Sequence, residues 1–259
     1  MSSYLTSCEK AARAAGDVLK QWRGKFNVRE KGKADLVTDA DDAAQKVIEE
    51  ILTADFPEFE FLGEEGPSGV SRKTGSPFCW VVDPLDGTMN YVHGLPNYAV
   101  SIGLTEAGKV IAGVIYDPVF DRCFKAEKGQ GAYLNDEKIE VSGAQSLDEA
   151  LIAFSFPTTV SRDSQVIEDF INVLVKTQGI RRLGSAALNL AYVAAGHMDA
   201  YWAAFNKPWD VAAGAILVEE AGGIVQGFGN QPFDINKPKI VATATPQLQA
   251  ELQAQIASS

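Results

Sequence analysis

The sequence predicts a mixed fold, α+β in its first half and α/β in its second. Three observations carry this expectation. Two stretches with apolar residues at helical spacing open the chain, and several short apolar runs joined by a hairpin signal follow them. Beyond residues 142–147, strand-like and helix-like segments alternate.

In the first stretch Leu5, Cys8, Ala12, Ala15, Leu19 and Trp22 recur three or four residues apart, the period of one helix face, and Gly24 supplies a stop. A second helix begins near Thr38, where Thr38 and Asp41 stand at capping-box spacing. Its apolar face runs through Ala44, Val47, Ile48 and Ile51, and it ends before Pro57. Residues 59–62 and 78–82 are apolar runs of strand length, separated by a Gly-, Ser- and Pro-rich loop at 66–77. The runs 98–104 and 110–116 flank the hairpin signal Thr105-Glu106-Ala107-Gly108-Lys109, and short strands at 123–126 and 132–134 complete an antiparallel sheet.

In the second half, strands are expected at 151–154, 199–203, 224–225 and 240–242. Helices are expected at 164–177, from Gly184-Ser185 to Gly196, from Trp209-Asp210 to Ala221, and after Thr245-Pro246, where proline suits the first helical position. Arg181-Arg182 reads as a strand edge or as a surface for a second copy of the chain. The change of pattern divides the chain into an N-terminal half, 1–144, and a C-terminal half, 145–259.

Composition narrows the function. The net charge of −11 comes from 34 acidic and 23 basic residues, which argues against nucleic-acid binding through a basic footprint. No apolar stretch approaches the roughly 20 residues of a membrane span, and Met1-Ser2-Ser3-Tyr4 opens no basic region followed by an apolar segment, so a protein that is not secreted is expected. Cys8, Cys79 and Cys123 form no CxxC pair and leave one over in any disulfide scheme, which fits free thiols in a cytoplasmic protein. His93 and His197 are the only histidines, so a hard metal held by oxygen ligands is favoured over a His-rich zinc site.

Three acidic segments stand out. Asp83 and Asp86 flank Pro84-Leu85 after an apolar strand; a tight turn there would point both carboxylates one way with the Leu85 carbonyl between them. Two carboxylates and a carbonyl suit Mg²⁺. Gly87-Thr88 then leads into a helix start, where backbone N–H groups can hold a phosphate. Glu64-Glu65 follows a strand, and Asp210 opens a helix. Taken singly each has an ordinary structural reading: an Asx turn, a solvated turn and an N-cap. Their occurrence together, in this order, favours the metal site.

Gly63-Glu64-Glu65, Asp83-Pro84-Leu85-Asp86-Gly87-Thr88-Met89-Asn90 and Trp209-Asp210-Val211-Ala212-Ala213-Gly214 together resemble the inositol monophosphatase family. Residues 35–41, Gly184-Ser185-Ala186-Ala187 and Glu219-Glu220-Ala221-Gly222-Gly223 extend the likeness over nearly the whole chain. The resemblance implies a layered αβαβα sandwich, a homodimer, and hydrolysis of a small phosphate monoester with two or three Mg²⁺ ions and sensitivity to lithium. It implies that Glu64, Asp83 and the Leu85 carbonyl hold one ion, that Asp83, Asp86 and Asp210 hold a second, and that a third sits near Glu64. Asp41 and Thr88 match the pair that orients the attacking water, with Glu64 beside it. Gly87 and Thr88 amides match phosphate contacts, and Asp86, Gly184, Ser185, Ala186 and Asp210 match positions bordering the substrate.

The resemblance leaves the ester open. Inositol-hydrolysing members usually carry a glutamate where this chain has Ala203, and related enzymes act on sugar phosphates, fructose 1,6-bisphosphate, histidinol phosphate or nucleotide phosphates. Asn206 and Lys207 are the rival substrate contacts. Lys31 lies close in register to a family lysine at the pocket entrance and reads equally as a surface residue. Some relatives bind the transcription machinery, so a regulatory binding protein is the reading from another class.

Overall fold

A computed structural model describes residues 2–32, 35–66 and 70–256. The first helix, α1 (Ser3–Trp22), starts on Ser2, whose hydroxyl accepts the Leu5 N–H, and buries Leu5, Cys8, Ala12, Ala15 and Leu19 along one face. An antiparallel hairpin of β1 (Val28–Gly32) and β2 (Asp35–Thr38) follows, unmarked in the sequence because β1 is largely charged and β2 is only four residues long. Helix α2 (Asp39–Asp55) begins where expected, with Thr38 and Asp41 forming both arms of a capping box.

Next come β3 (Glu60–Gly63), β4 (Val70–Arg72), β5 (Phe78–Asp86) and the short helix α3 (Thr88–Val92). A meander of β6 (Ala99–Glu106), β7 (Lys109–Asp117), β8 (Arg122–Glu127), β9 (Gly131–Leu134) and β10 (Glu137–Ile139) completes the half. The resulting sheet has eight strands in the order β10-β9-β8-β7-β6-β5-β3-β4. It is mixed rather than antiparallel, because β4 turns back along the outer edge of β3 and returns the chain into β5 parallel to β3. The expected loop at 66–77 therefore contains a strand; its residues 67–69 lie outside the described residues.

The second half runs through β11 (Leu151–Ser155), α4 (Gln165–Leu174), β12 (Gly179–Arg181), α5 (Ala186–Ala194), β13 (Ala200–Ala203), α6 (Pro208–Glu220), β14 (Ile224–Gln226), β15 (Ile240–Thr243) and α7 (Pro246–Gln253). Its five strands are ordered β12-β11-β13-β15-β14, parallel across the first three and antiparallel beyond. Strand β12, three residues long, is too short for an apolar pattern to mark and places Arg181 on an edge.

Three apolar clusters separate five layers. Helices α1 and α2 pack on the large sheet through Leu19, Ile48, Trp80 and Ile102. Helices α5 and α6 fill the space between the sheets, touching Ile115 and Phe124 on one side and Tyr201 and Ile240 on the other. Helices α4 and α7 cover the outer face of the small sheet, over Phe154 and Trp202. This is the expected αβαβα sandwich. A helix in the middle layer must be apolar all round, and α6 is: every residue from Val211 to Val218 is buried. It lies unusually close to the large sheet, since a Cβ on Gly103 would come within 2.7 Å of the Ala212 Cβ. Among the described residues no helix is long and apolar enough to cross a membrane, and all three cysteines are unpaired.

Candidate active site

Five segments converge where the large sheet meets α5 and α6. Parallel pairing sets Gly63 opposite Val82, so β3 and β5 deliver Glu64 and Asp83 side by side at one sheet edge. The Glu64 N–H donates to the Val82 carbonyl at 3.0 Å, and Gln45 clamps the next residue: its Nε2 donates to the Glu65 carbonyl at 2.7 Å while its Oε1 accepts the Glu65 N–H at 2.9 Å.

The Asp83–Asp86 segment is a bulge within β5 rather than a tight turn after it. Asp83 pairs with Ser101 and Asp86 with Ala99, which leaves one extra residue on β5. Pro84, which has no N–H for the ladder, falls in this stretch. Asp83 still makes the Asx-type contact, accepting the Leu85 N–H at 2.9 Å. The Ser101 hydroxyl opposite donates to the Trp209 carbonyl at 3.2 Å and so fixes the start of α6, and with it Asp210, against β5–β6. Asp210 is the third residue of α6, not its N-cap; its carboxylate accepts the Lys207 N–H at 2.7 Å. Asp41 is likewise third in α2 and accepts the Thr38 N–H at 2.9 Å. Both residues fill an ordinary helix-capping place while turning an acid toward the site.

Thr88 connects the segments. Its hydroxyl lies 3.2 Å from the Asp41 carboxylate and 3.0 Å from the Leu85 carbonyl, the two acceptors for its proton. Gly87, with φ at 96°, occupies the left-handed region that glycine favours, and a Cβ there would stand 3.0 Å from the Asn97 carbonyl and 3.2 Å from that of Gly184. Asp86 is held by α5: the Ala187 N–H donates to it at 2.7 Å, and the Ser185 hydroxyl donates to the same oxygen. Ser185, expected to border the substrate, is fully buried and positions Asp86 instead. Gly184 packs on the Asn90 amide, which donates to the Asn97 and Leu183 carbonyls at 2.7 Å each.

The electrostatics follow from burial. Asp83 is 2% exposed, and burial together with Glu64, Asp86 and Asp210 raises its carboxyl well above the usual range. Burial and Asp86 raise Asp210 as well. Burial pushes Asp86 up to about 6 against the lowering effect of its Ser185 and Ala187 bonds, and pushes Asp41 up to about 6 against that of Thr38. Among the described residues no lysine or arginine forms an ion pair with Asp83, Asp86 or Asp210.

The donor set suits a hard cation: four carboxylates and a backbone carbonyl, with mutual repulsion that a divalent ion would relieve. As they stand, no three His, Cys, Asp or Glu side chains among the described residues form a ready-made ion cage. Asp83 and Asp86 are instead turned to Leu85, Ser185 and Ala187.

The inositol monophosphatase family model matches residues 1–259. The chain belongs to the inositol monophosphatase family. It is 40% identical to Nus factor SuhB of Pseudomonas aeruginosa, covering 97% of this chain and 95% of that one. It is also 40% identical to the inositol-1-monophosphatase of a Synechocystis species, over 94% and 85% of the two chains. The crystal structure of the extragenic suppressor protein SuhB from Bartonella henselae superposes with a TM-score of 0.92 at 38% identity over 98% of each chain. Membership in the inositol monophosphatase family makes the protein a phosphatase.

One further sequence expectation does not survive the geometry. Ala203 is fully buried on β13, paired with Ile240, so it faces the core and not the substrate; the cavity lining begins at Ala204. Trp80 and Trp202 are core residues. The side chain of Lys31 lies outside the described residues. The supports the sequence reading missed are Gln45, Asn90 and Ser101. Gln45 could have been found as the second polar residue, one turn after Asp41, on the face of α2 that also carries Ala44 and Ile48.

Proposed function

We propose that the protein hydrolyses a small phosphate monoester with Mg²⁺, inositol 1-phosphate or a related polyol or sugar phosphate. The observation that carries the reading is the convergence of Glu64, Asp83, Asp86 and Asp210, where burial and then repulsion raise Asp83 and no lysine or arginine among the described residues pairs with it. Glu64, Asp83 and the Leu85 carbonyl would hold one ion, and Asp83, Asp86 and Asp210 another. Bound there, two divalent ions supply an activated water and stabilise charge on the departing oxygen.

The chain's own residues do the rest. Asp41, pushed up to about 6, is matched to accept the water's proton near neutral pH, with the Thr88 hydroxyl, 3.2 Å from it, orienting that water. Ser185 and the Ala187 N–H keep Asp86 aimed at the cluster. The Gly87 and Thr88 N–H groups at the start of α3 would contact the phosphate, Gly87 letting the chain pass close to the Asn97 and Gly184 carbonyls. Homodimer formation and a cytoplasmic location belong to the same proposal.

The test is phosphate release from a panel of esters with and without Mg²⁺. Metal-dependent release from at least one small monoester is expected, and inactivity toward all of them would refute the reading. The name Nus factor SuhB carried by a relative favours a second reading, a regulatory binding role. A stoichiometric partner co-purifying with a protein that lacks phosphatase activity would favour that one.

A further inference from the structure

Asp41 and Glu64 reach the cluster from different elements, Asp41 from the first turn of α2 and Glu64 from just past the end of β3. The proposed hydrolysis needs them at a fixed separation, since Asp41 takes a proton from water beside the ion that Glu64 would hold. One side chain spans the two. Gln45 stands one turn after Asp41 on the same face of α2 and is 8% exposed.

Its amide meets the chain on both sides of Glu64. On one side Nε2 donates to the Glu65 carbonyl at 2.7 Å and Oε1 accepts the Glu65 N–H at 2.9 Å. An amide suits this place because it offers a donor and an acceptor side by side, the complement of one residue's C=O and N–H. On the other side it packs on Gly63, where a Cβ would come within 2.3 Å of Oε1. Gly63 is not in the left-handed region, so the close approach of Gln45, and not the backbone conformation, calls for glycine. Any side chain there would push the amide off Glu65. With the Glu64 N–H bound to the Val82 carbonyl at 3.0 Å, Glu64 is then fixed both to β5 and to α2.

We propose that Gln45 is a positioning residue that sets the Glu64 carboxylate relative to the Asp41 base. The proposal rests on the phosphatase reading. Gln45 acts through Glu64, since it is not among the residues lining the groove beside the cluster. Residues that orient a metal ligand from behind cost about 10- to 100-fold in metal affinity or activity when removed. A misplacement on the order of 1 Å between reacting groups costs as much.

The experiment compares wild type, Gln45→Met, Gln45→Glu and Gln253→Met by Mg²⁺ calorimetry, by kcat and KM at saturating Mg²⁺, and by metal-free Tm. Gln45→Met keeps the side-chain length and removes both arms, whereas Gln45→Glu keeps the acceptor for the Glu65 N–H. Gln253 is the control. It makes the same two-armed clamp, donating to the Gly227 carbonyl at 2.8 Å and accepting the Gly229 N–H at 3.0 Å, on residues that adjoin none of the acids. Gln45→Met is expected to bind Mg²⁺ ~10-fold more weakly and to lose ~10-fold in kcat, with KM for the ester within about threefold. Gln45→Glu should regain most of both losses. Gln253→Met should lower Tm comparably and leave Mg²⁺ affinity and kcat within about twofold. Gln45→Met with wild-type Mg²⁺ affinity and kcat, or Gln253→Met with the same losses as Gln45→Met, would overturn the role while leaving the phosphatase reading intact. A wild type inactive toward every ester with Mg²⁺ would overturn the two together.

Discussion

Asp83 and Asp117 lie on the same edge of the large sheet, each followed by proline, at 2% and 0% exposure. Asp117 accepts the Val119 and Phe120 N–H groups at 3.0 and 3.2 Å, and its other oxygen takes two guanidinium bonds from Arg122 at 3.1 and 2.6 Å. Asp83 has the equivalent local bond, to the Leu85 N–H, but faces Glu64, Asp86 and Asp210 where Asp117 faces Arg122. The Asp-Pro dipeptide is turn chemistry in both places. What separates a structural carboxylate from a functional one is whether the fold supplies its counter-charge. At Asp117 it does; at Asp83 no lysine or arginine among the described residues does.

The sharpest contrast should appear in activity. Asp83→Asn removes the carboxylate common to both proposed ion sites, so kcat/KM should fall by at least ~10³, about 4 kcal/mol of transition-state stabilisation. Asp117→Asn should leave kcat/KM per folded molecule within about threefold. Steady-state kinetics on both variants checks this, and similar losses in the two would dissolve the distinction.

Stability should show the reverse order. Losing the Asp117 charge leaves the partly buried Arg122 without its partner, at a cost of about 2–3 kcal/mol in urea unfolding. Asp83→Asn relieves repulsion and should cost nothing in the metal-free protein.

A smaller effect concerns the water-holding pair. If Thr88 and Asp41 act on one water, the losses in Thr88→Ala and Asp41→Asn should not add. The double variant should fall short of the summed losses by about 1–2 kcal/mol. Fully additive losses at saturating Mg²⁺ would mean the two act separately.

Much of this was legible in the sequence for identifiable reasons. Helices α1 and α2 announce themselves by apolar period and caps, and α6 by its unbroken apolar run, as only a middle-layer helix can afford. The ligand candidates were legible because acids at strand ends and helix starts are few and ordered. Geometry was less so. The parallel β3–β5 pair that brings Glu64 to Asp83 depends on the short edge strand β4, which lacks an apolar pattern. The facing of Ala203 depends on strand register, where a shift of one residue exchanges core for cavity. Ser185 and Gln45 act through hydrogen bonds to partners 99 and 20 residues away, beyond the reach of local pattern.

The most direct measurement is thermal unfolding of wild type and Asp83→Asn, each with and without Mg²⁺. Asp41 and Asp86 are pushed up to about 6 and Asp83 and Asp210 are raised further, so the folded metal-free protein retains protons that the unfolded chain releases. Metal-free stability should therefore fall as pH rises from about 4 through about 6 and beyond, and Mg²⁺ should restore more at about pH 7.5 than at about pH 5. At the higher pH, metal-free Asp83→Asn should unfold at or above the wild-type temperature; Mg²⁺ should raise the wild type by several degrees and leave the variant unmoved. A metal-free variant less stable than wild type, or an equal Mg²⁺ shift in both proteins, would contradict a metal site centred on Asp83.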